Sequence, residues 1–288
     1  MNKLAKISVG NGNPIRIMGI LNTSPESFYK NSICISKNQI SNLAKKMEND
    51  GADFIDVGGM STAPYLSTSI SEKLETKRIV NAIKIIQNST NLPISVDTCR
   101  STVAENALEL GVEIINDVSG LKYDQKMIDV IRKYHPSLIL CAHSKKITSK
   151  NHLTKTKQLL KDSIKIAKSG GVSTKNIIVD PAVGFFRRGG KGFPFTKIDF
   201  DWFRRDKEIL ENLNFFKFGQ PCIVSISNKS IIGRILDESD PSKRLNGSLD
   251  LEMFSVINGA DLIRTHNVKQ SREVVSIAKK IQRRRKGL

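Results

Sequence analysis

The chain has 288 residues, 39% of them hydrophobic, with 46 Lys and Arg against 28 Asp and Glu and a net charge of +18. No apolar run approaches the ~20 residues that span a bilayer, and the N-terminus MNKLAKISVGNGNP lacks the apolar stretch of a secretory signal. A soluble cytoplasmic protein is expected, one whose charge favours anionic partners: nucleic acid, a membrane surface or a phosphorylated small molecule.

Short apolar runs recur along the chain: RIMGIL (16–21), DFIDVG (53–58), PISVDT (93–98), EIINDV (113–118), SLILCAH (137–143), NIIVDP (176–181), CIVSIS (222–227) and DLIRTH (261–266). Most are apolar nearly throughout, as parallel strands covered on both faces are. Helical patterns lie between them. Residues 71–87 place Ile79, Ala82, Ile83 and Ile86 on one face, and 155–171 do the same with Leu160, Ile164 and Ala167. Gly51, Gly111, Gly171 and Gly259 each stand just before a strand, where a left-handed residue ends a helix.

Strand followed by helix, repeated in this way, predicts an α/β fold, a (β/α)8 TIM barrel, with residues 1–288 as a single domain. An open doubly wound sheet is the alternative, but its Gly-rich phosphate loop after the first strand is replaced here by NTSPES. Cys34, Cys99, Cys141 and Cys222 form no Cys-x-x-Cys pair and no zinc spacing, and are expected to be structural thiols.

Barrel enzymes build their sites on the loops that follow the strands. Here those ends carry Asn22, Asp56, Asp97, Asn116-Asp117, His143, Asp180, Ser227-Asn228-Lys229-Ser230, and Arg264 with His266. Each alone has an ordinary reading as a cap, a turn or a solvated charge; together they point to a site. Asp97, Asn116, Asp180 and Lys229 offer acceptors and donors suited to a flat heterocycle with an amidine-like edge. Asn22, Arg264 and His266 come from the first and last strands, neighbours in a closed barrel. Arg and His there suit a phosphate or pyrophosphate, and the Asn22 oxygen suits Mg²⁺ beside it.

The stretches IMGILNTSPESF, GADFIDVGGMSTAP, ISVDT, GVEIINDVSG, DPAVGF, SISNKSIIG and IRTHNV resemble, in order and over nearly the whole chain, the successive motifs of dihydropteroate synthases. The resemblance implies a barrel that joins 6-hydroxymethyl-7,8-dihydropterin pyrophosphate to an arylamine and releases pyrophosphate. It implies that Asp97, Asn116, Asp180 and Lys229 hold the pterin, and that Asn22, Thr62, Arg264 and His266 serve the pyrophosphate, with Mg²⁺ on Asn22. It also implies a homodimer.

Three positions depart from the family pattern. Ala63 and Asn228 stand where arginines are usual, and Asn267 follows the last His in place of Asp. The basic segment from Phe186 to Lys197 is longer than the usual loop. Because GGMSTAPY and NTSPESFY are similar to archaeal relatives that serve methanopterin-type coenzymes, the arylamine is expected to be 4-aminobenzoate or its ribose-phosphate derivative. Ser230, Asn228, Arg187, Arg188 and Lys191 are the candidates to meet it. Two other readings remain at this point: a pterin-dependent methyltransferase to a corrinoid, which has no use for a pyrophosphate site, and a basic nucleic-acid-binding protein, for which no binding motif accompanies the charge.

Overall fold

The computed structural model describes residues 1–25, 36–61, 69–148, 151–190 and 194–285. Its centre is one eight-stranded parallel sheet: β1 (Arg16–Asn22), β2 (Phe54–Gly58), β3 (Ile94–Asp97), β4 (Ile114–Asp117), β5 (Ser137–Cys141), β6 (Ile177–Asp180), β7 (Ile223–Ser225) and β8 (Leu262–Thr265). Seven of the eight predicted runs contain one of these strands, and β1 reaches one residue beyond its run, to Asn22. Neighbours pair in the order β7-β8-β1-β2-β3-β4-β5-β6. A single parallel bridge, Val179 to Cys222, joins the two ends, with Val179 N donating to Pro221 O at 3.0 Å. The sheet is therefore a barrel, as expected, and not the open alternative.

Around it run α1 (Lys37–Asn49), α2 (Glu72–Gln87), α3 (Ser101–Glu109), α4 (Met127–Tyr134), α5 (His152–Ser169), α6 (Trp202–Glu211), α7 (Ser230–Leu236), α8 (Leu245–Ile257) and α9 (Val268–Arg285). Local chemistry sets their limits. The Ser36 hydroxyl accepts from Gln39 N and the Gln39 side chain answers at Ser36 N, a capping box that starts α1. Ile40, Ala44 and Met47 then bury one face at helical spacing. The helix stops at Gly51, where φ is +88°, a conformation that costs an L side chain ~1 kcal/mol or more. Gly111, Gly171 and Gly259 likewise have positive φ.

Alternation along the strands divides the apolar side chains into two layers. Ile17, Leu21, Ile55 and Val57 face outward into the sleeve between sheet and helices. Met18, Phe54, Ile114, Ile139, Ile178 and Ile223 face the barrel axis as a dry floor. A feature not foreseen from sequence closes that floor from below. Lys3–Leu4 and Ile7–Ser8 form an antiparallel hairpin whose Leu4, with the following Val9, packs into the inner cluster. Ala5 N donates to Ser137 Oγ at 2.9 Å and pins the hairpin to β5. Cys99, Cys141 and Cys222 are buried free thiols, in keeping with a structural role, and burial pushes their pKa values up; Cys34 lies outside the described residues.

Candidate active site

Above the apolar floor the inward positions turn polar. Ladder register aligns Asn22 with Gly58, Gly58 with Asp97, and Asp97 with Asn116, so one row crosses β1 to β4. Gly58 matters by its lack of a side chain: a Cβ there would stand 3.2 Å from Asn22 Oδ1. One row lower lies Asp56, with no side-chain exposure. Its Oδ2 accepts from Asn116 Nδ2 at 3.1 Å and from Arg264 Nε at 2.6 Å. Arg264 continues to Asp97 Oδ2 through Nη2 at 2.8 Å. A single guanidinium thus spans two buried carboxylates, and Oδ1 of each carboxylate has no hydrogen-bond partner among the described residues. Burial raises the Asp97 carboxyl above its usual range, with Arg264 opposing.

On the far side, Asp180 ends β6 and accepts from Ala182 N at 2.7 Å. Lys229 reaches across from the β7 loop, donating to Val183 O at 2.6 Å and standing 4.5 Å from the centroid of the Phe185 ring. Gly184 makes this approach possible: its φ is +90°, and a Cβ there would meet Lys229 Cδ at 2.9 Å. Burial lowers the Lys229 pKa to about 8, with Asp180 opposing. Burial, with the charges of Arg264 and Lys229, lowers His266 to about 3, so its ring is neutral. His266 Nδ1 lies 3.0 Å from Ser227 Oγ.

Asp97, Asn116, Asp180, Lys229, Arg264, His266 and Asn22 therefore all gather at the C-terminal mouth of the barrel. Thr62 and Lys191, with Ala63, lie outside the described residues. Of the acceptor-side candidates, Arg187 and Ser230 meet, Arg187 Nη2 donating to Ser230 Oγ at 2.7 Å, and the others stand apart. Asn228 is buried and turned to α8, its N donating to Ser248 Oγ at 3.0 Å and its Oδ1 accepting from the same hydroxyl at 3.2 Å. Arg188 is exposed and donates to Phe200 O at 3.2 Å. The basic segment carries a parallel ladder of Phe186–Arg187 with Thr196–Lys197. Arg187 is buried there, at 9% exposure.

Sequence reasoning noted Asp56 among the strand-end groups without giving it a role, and missed the pair behind the β6 loop. Arg205 and Asp206, both fully buried, sit on α6. Arg205 donates to Pro181 O at 2.5 Å and Ala182 O at 2.9 Å, holding the turn that follows Asp180. A signal was available: Arg205 and Asp206 precede the buried Ile209 and Leu210 by four residues each, so two charges occupy an inward helix face.

Residues 18–266 match the family model described as pterin binding enzyme. The dihydropteroate synthase of Bacillus subtilis (strain 168) is 34% identical over 255 residues, covering 88% of this chain and 84% of that one. This chain belongs to the dihydropteroate synthase family. The Clostridium beijerinckii synthase is likewise 34% identical over 274 residues, covering 93% and 94% of the two chains. A Coxiella burnetii dihydropteroate synthase solved with pteroic acid superposes with a TM-score of 0.80 at 32% identity, over 92% of each chain. These synthase relatives are bacterial and lend no support to a placement with the archaeal branch. With synthases as relatives, the methyltransferase and nucleic-acid readings give way.

Proposed function

We infer that this chain catalyses the dihydropteroate synthase condensation. The arylamine nitrogen attacks the methylene of 6-hydroxymethyl-7,8-dihydropterin pyrophosphate, the C–O bond breaks, and pyrophosphate leaves. The observation that carries the reading is the convergence of Asp97, Asn116, Asp180 and Lys229 above a dry floor, with Arg264 and His266 beside them. Asp97 and Asp180 accept the pterin N–H groups. Asn116 and Lys229 address its carbonyl and ring nitrogens. Arg264 stabilises the departing anion in a low-dielectric site, and neutral His266 acts as a hydrogen-bond partner, not a charge. The neutral arylamine is already a nucleophile, so the site needs no strong base.

Asn22 and Thr62 complete the pyrophosphate end. Asn22 Oδ1 is a hard oxygen donor at the strand end, and no group of three His, Cys, Asp or Glu side chains among the described residues could hold a metal by itself. This fits a Mg²⁺ ion carried largely by phosphate oxygens and water; when bound, it would neutralise charge on the leaving group. The acceptor is 4-aminobenzoate or its ribose-phosphate derivative, in folate or methanopterin-type coenzyme synthesis, with Ser230 at the acceptor side. The pteroic acid bound by the Coxiella burnetii relative supports the first. No described helix is long and apolar enough to cross a membrane, and we read the enzyme as cytoplasmic. The exposed Ile235, Leu236, Phe254 and Ile257 on α7 and α8 support a homodimer, to be checked by light scattering.

The test is a turnover assay with pterin pyrophosphate, Mg²⁺ and each arylamine in turn, following pyrophosphate release. Release that depends on both substrates is expected. Release without arylamine, or none at all, would overturn the reading.

A further inference from the structure

The network behind Ser230 carries an unbalanced charge. Among the described residues, Asp206 is the one carboxylate hydrogen-bonded within it. Its Oδ1 accepts from Arg205 Nη1 at 2.8 Å, and its Oδ2 from Arg187 Nη1 at 3.3 Å and Gly184 N at 3.0 Å. The other partners of Arg205 are the carbonyls of Pro181 and Ala182 and the Thr156 hydroxyl. The other partners of Arg187 are Phe186 O at 2.7 Å and Ser230 Oγ at 2.7 Å. Two guanidiniums therefore share one carboxylate, and one positive charge remains in a buried setting where isolated charge is costly. Counting Lys229 together with Asp180, which also faces Arg205, adds one charge of each sign and leaves the same surplus.

Arg187 is also fixed in place. Its guanidinium stands 4.1 Å from the Trp202 ring centroid, a stacking arrangement suited to Arg. Its Nη2 donates to Ser230 Oγ. A hydroxyl has one proton, so an oxygen that already accepts from a cation turns its own O–H toward another acceptor. The half-buried Ser230 directly follows Lys229 at the barrel mouth. The surplus charge and the oriented donor both call for an anion there.

We propose that Arg187, held by Asp206 and Trp202, selects a carboxylate-bearing arylamine by fixing the Ser230 hydroxyl as its donor; this rests on the synthase reading above. Asn228 holds a position where the family usually has an arginine, and its side chain is directed to Ser248. The cation on the acceptor side comes instead from the β6 loop. One surplus charge matches one carboxylate. A phosphate would call for a second cation, and among the described residues of the loop Arg188 is turned to Phe200 O at the surface. Arg187 is thus a positioning residue for specificity, and 4-aminobenzoate is the acceptor it fits.

The experiment compares 4-aminobenzoate with 4-aminobenzamide, which shares the reacting aniline but has no charge. Arg187→Gln should raise KM for 4-aminobenzoate roughly tenfold to a hundredfold. It should leave KM for 4-aminobenzamide and for pterin pyrophosphate within about twofold, since neither meets the lost charge. Arg187→Lys should restore part of the discrimination. Equal losses on both acceptors would overturn the proposal and leave Arg187 a loop support. Should Arg187→Gln fail to fold, Ser230→Ala must show the same selective loss, and an unselective one sinks the idea. A wild-type chain that consumes neither acceptor refutes the synthase reading and this proposal with it; a wild-type chain that is active while its variants do not discriminate refutes this proposal alone.

Discussion

Arg264 donates to Asp97 Oδ2 at 2.8 Å, so the carboxylate proposed to grip the pterin is already tied to the guanidinium proposed to receive its leaving group. On that proposal the two ends of the substrate would be read by one connected set of side chains. A change at either end should be felt at the other, and the size of that coupling is measurable.

Asp56 is the strongest test of that connection, because its Oδ2 serves Asn116 and Arg264 together. Asp56→Asn keeps the shape but removes the charge opposite the Arg264 guanidinium. Losing one charged hydrogen bond of this kind costs about 1.5–3 kcal/mol. Calorimetry should show affinity falling roughly tenfold or more for a pterin lacking pyrophosphate as well as for the full substrate. Unchanged binding of the plain pterin would mean that Asp56 supports only the leaving-group side.

Arg264→Ala should weaken pyrophosphate binding far more than binding of a pterin without it. The variant also leaves Asp56 and Asp97 facing each other without their shared cation, so some loss of pterin affinity is expected through repulsion. Equal losses for both ligands would contradict the assignment of Arg264 to the pyrophosphate.

The pH dependence should carry the mark of Lys229. Burial holds its pKa down at about 8, so its charge is present below that value and lost as pH rises through it. kcat/KM for pterin pyrophosphate should fall on the alkaline side of pH 8, about tenfold per pH unit. Lys229→Arg should remove that limb, because a guanidinium stays charged. His266, lowered to about 3, should add no limb near neutrality. An alkaline limb that survives Lys229→Arg would refute the assignment.

Arg205 should matter for stability before activity. Its side chain is fully buried, and Arg205→Met leaves two carbonyls and part of Asp206 without a donor. Breaking a buried ion pair from one side costs about 3–5 kcal/mol, read as a lower midpoint in urea. A loss below about 1 kcal/mol, the scale of a surface pair, would show that the network relaxes around the gap.

Most of the barrel was legible because a parallel strand buried on both faces is a short apolar run whose end is marked by a polar side chain. Asp97, Asn116, Asp180 and Arg264 stand at such ends, and the ladder registers bring them together. Asp56 was harder to assign: it is the second of two carboxylates in DFIDVG, and only Arg264, far along the chain, gives it a purpose. Arg187 was harder still. RRGGK looks like solvated loop, and nothing local announces that Trp202 and Asp206 will enclose its first arginine. Contacts fixed by tertiary packing leave little trace in neighbouring residues, whereas strand ends and helix caps are written where they act.

The hairpin beneath the barrel has a kinetic consequence. With Leu4 and Val9 packed into the inner cluster, the barrel is a cul-de-sac with traffic through one mouth. Whatever lies deepest must arrive first and leave last. The ring proposed to meet Asp97 and Asp180 should accordingly enter before the arylamine. A single mouth should therefore favour ordered binding, which product-inhibition kinetics would show.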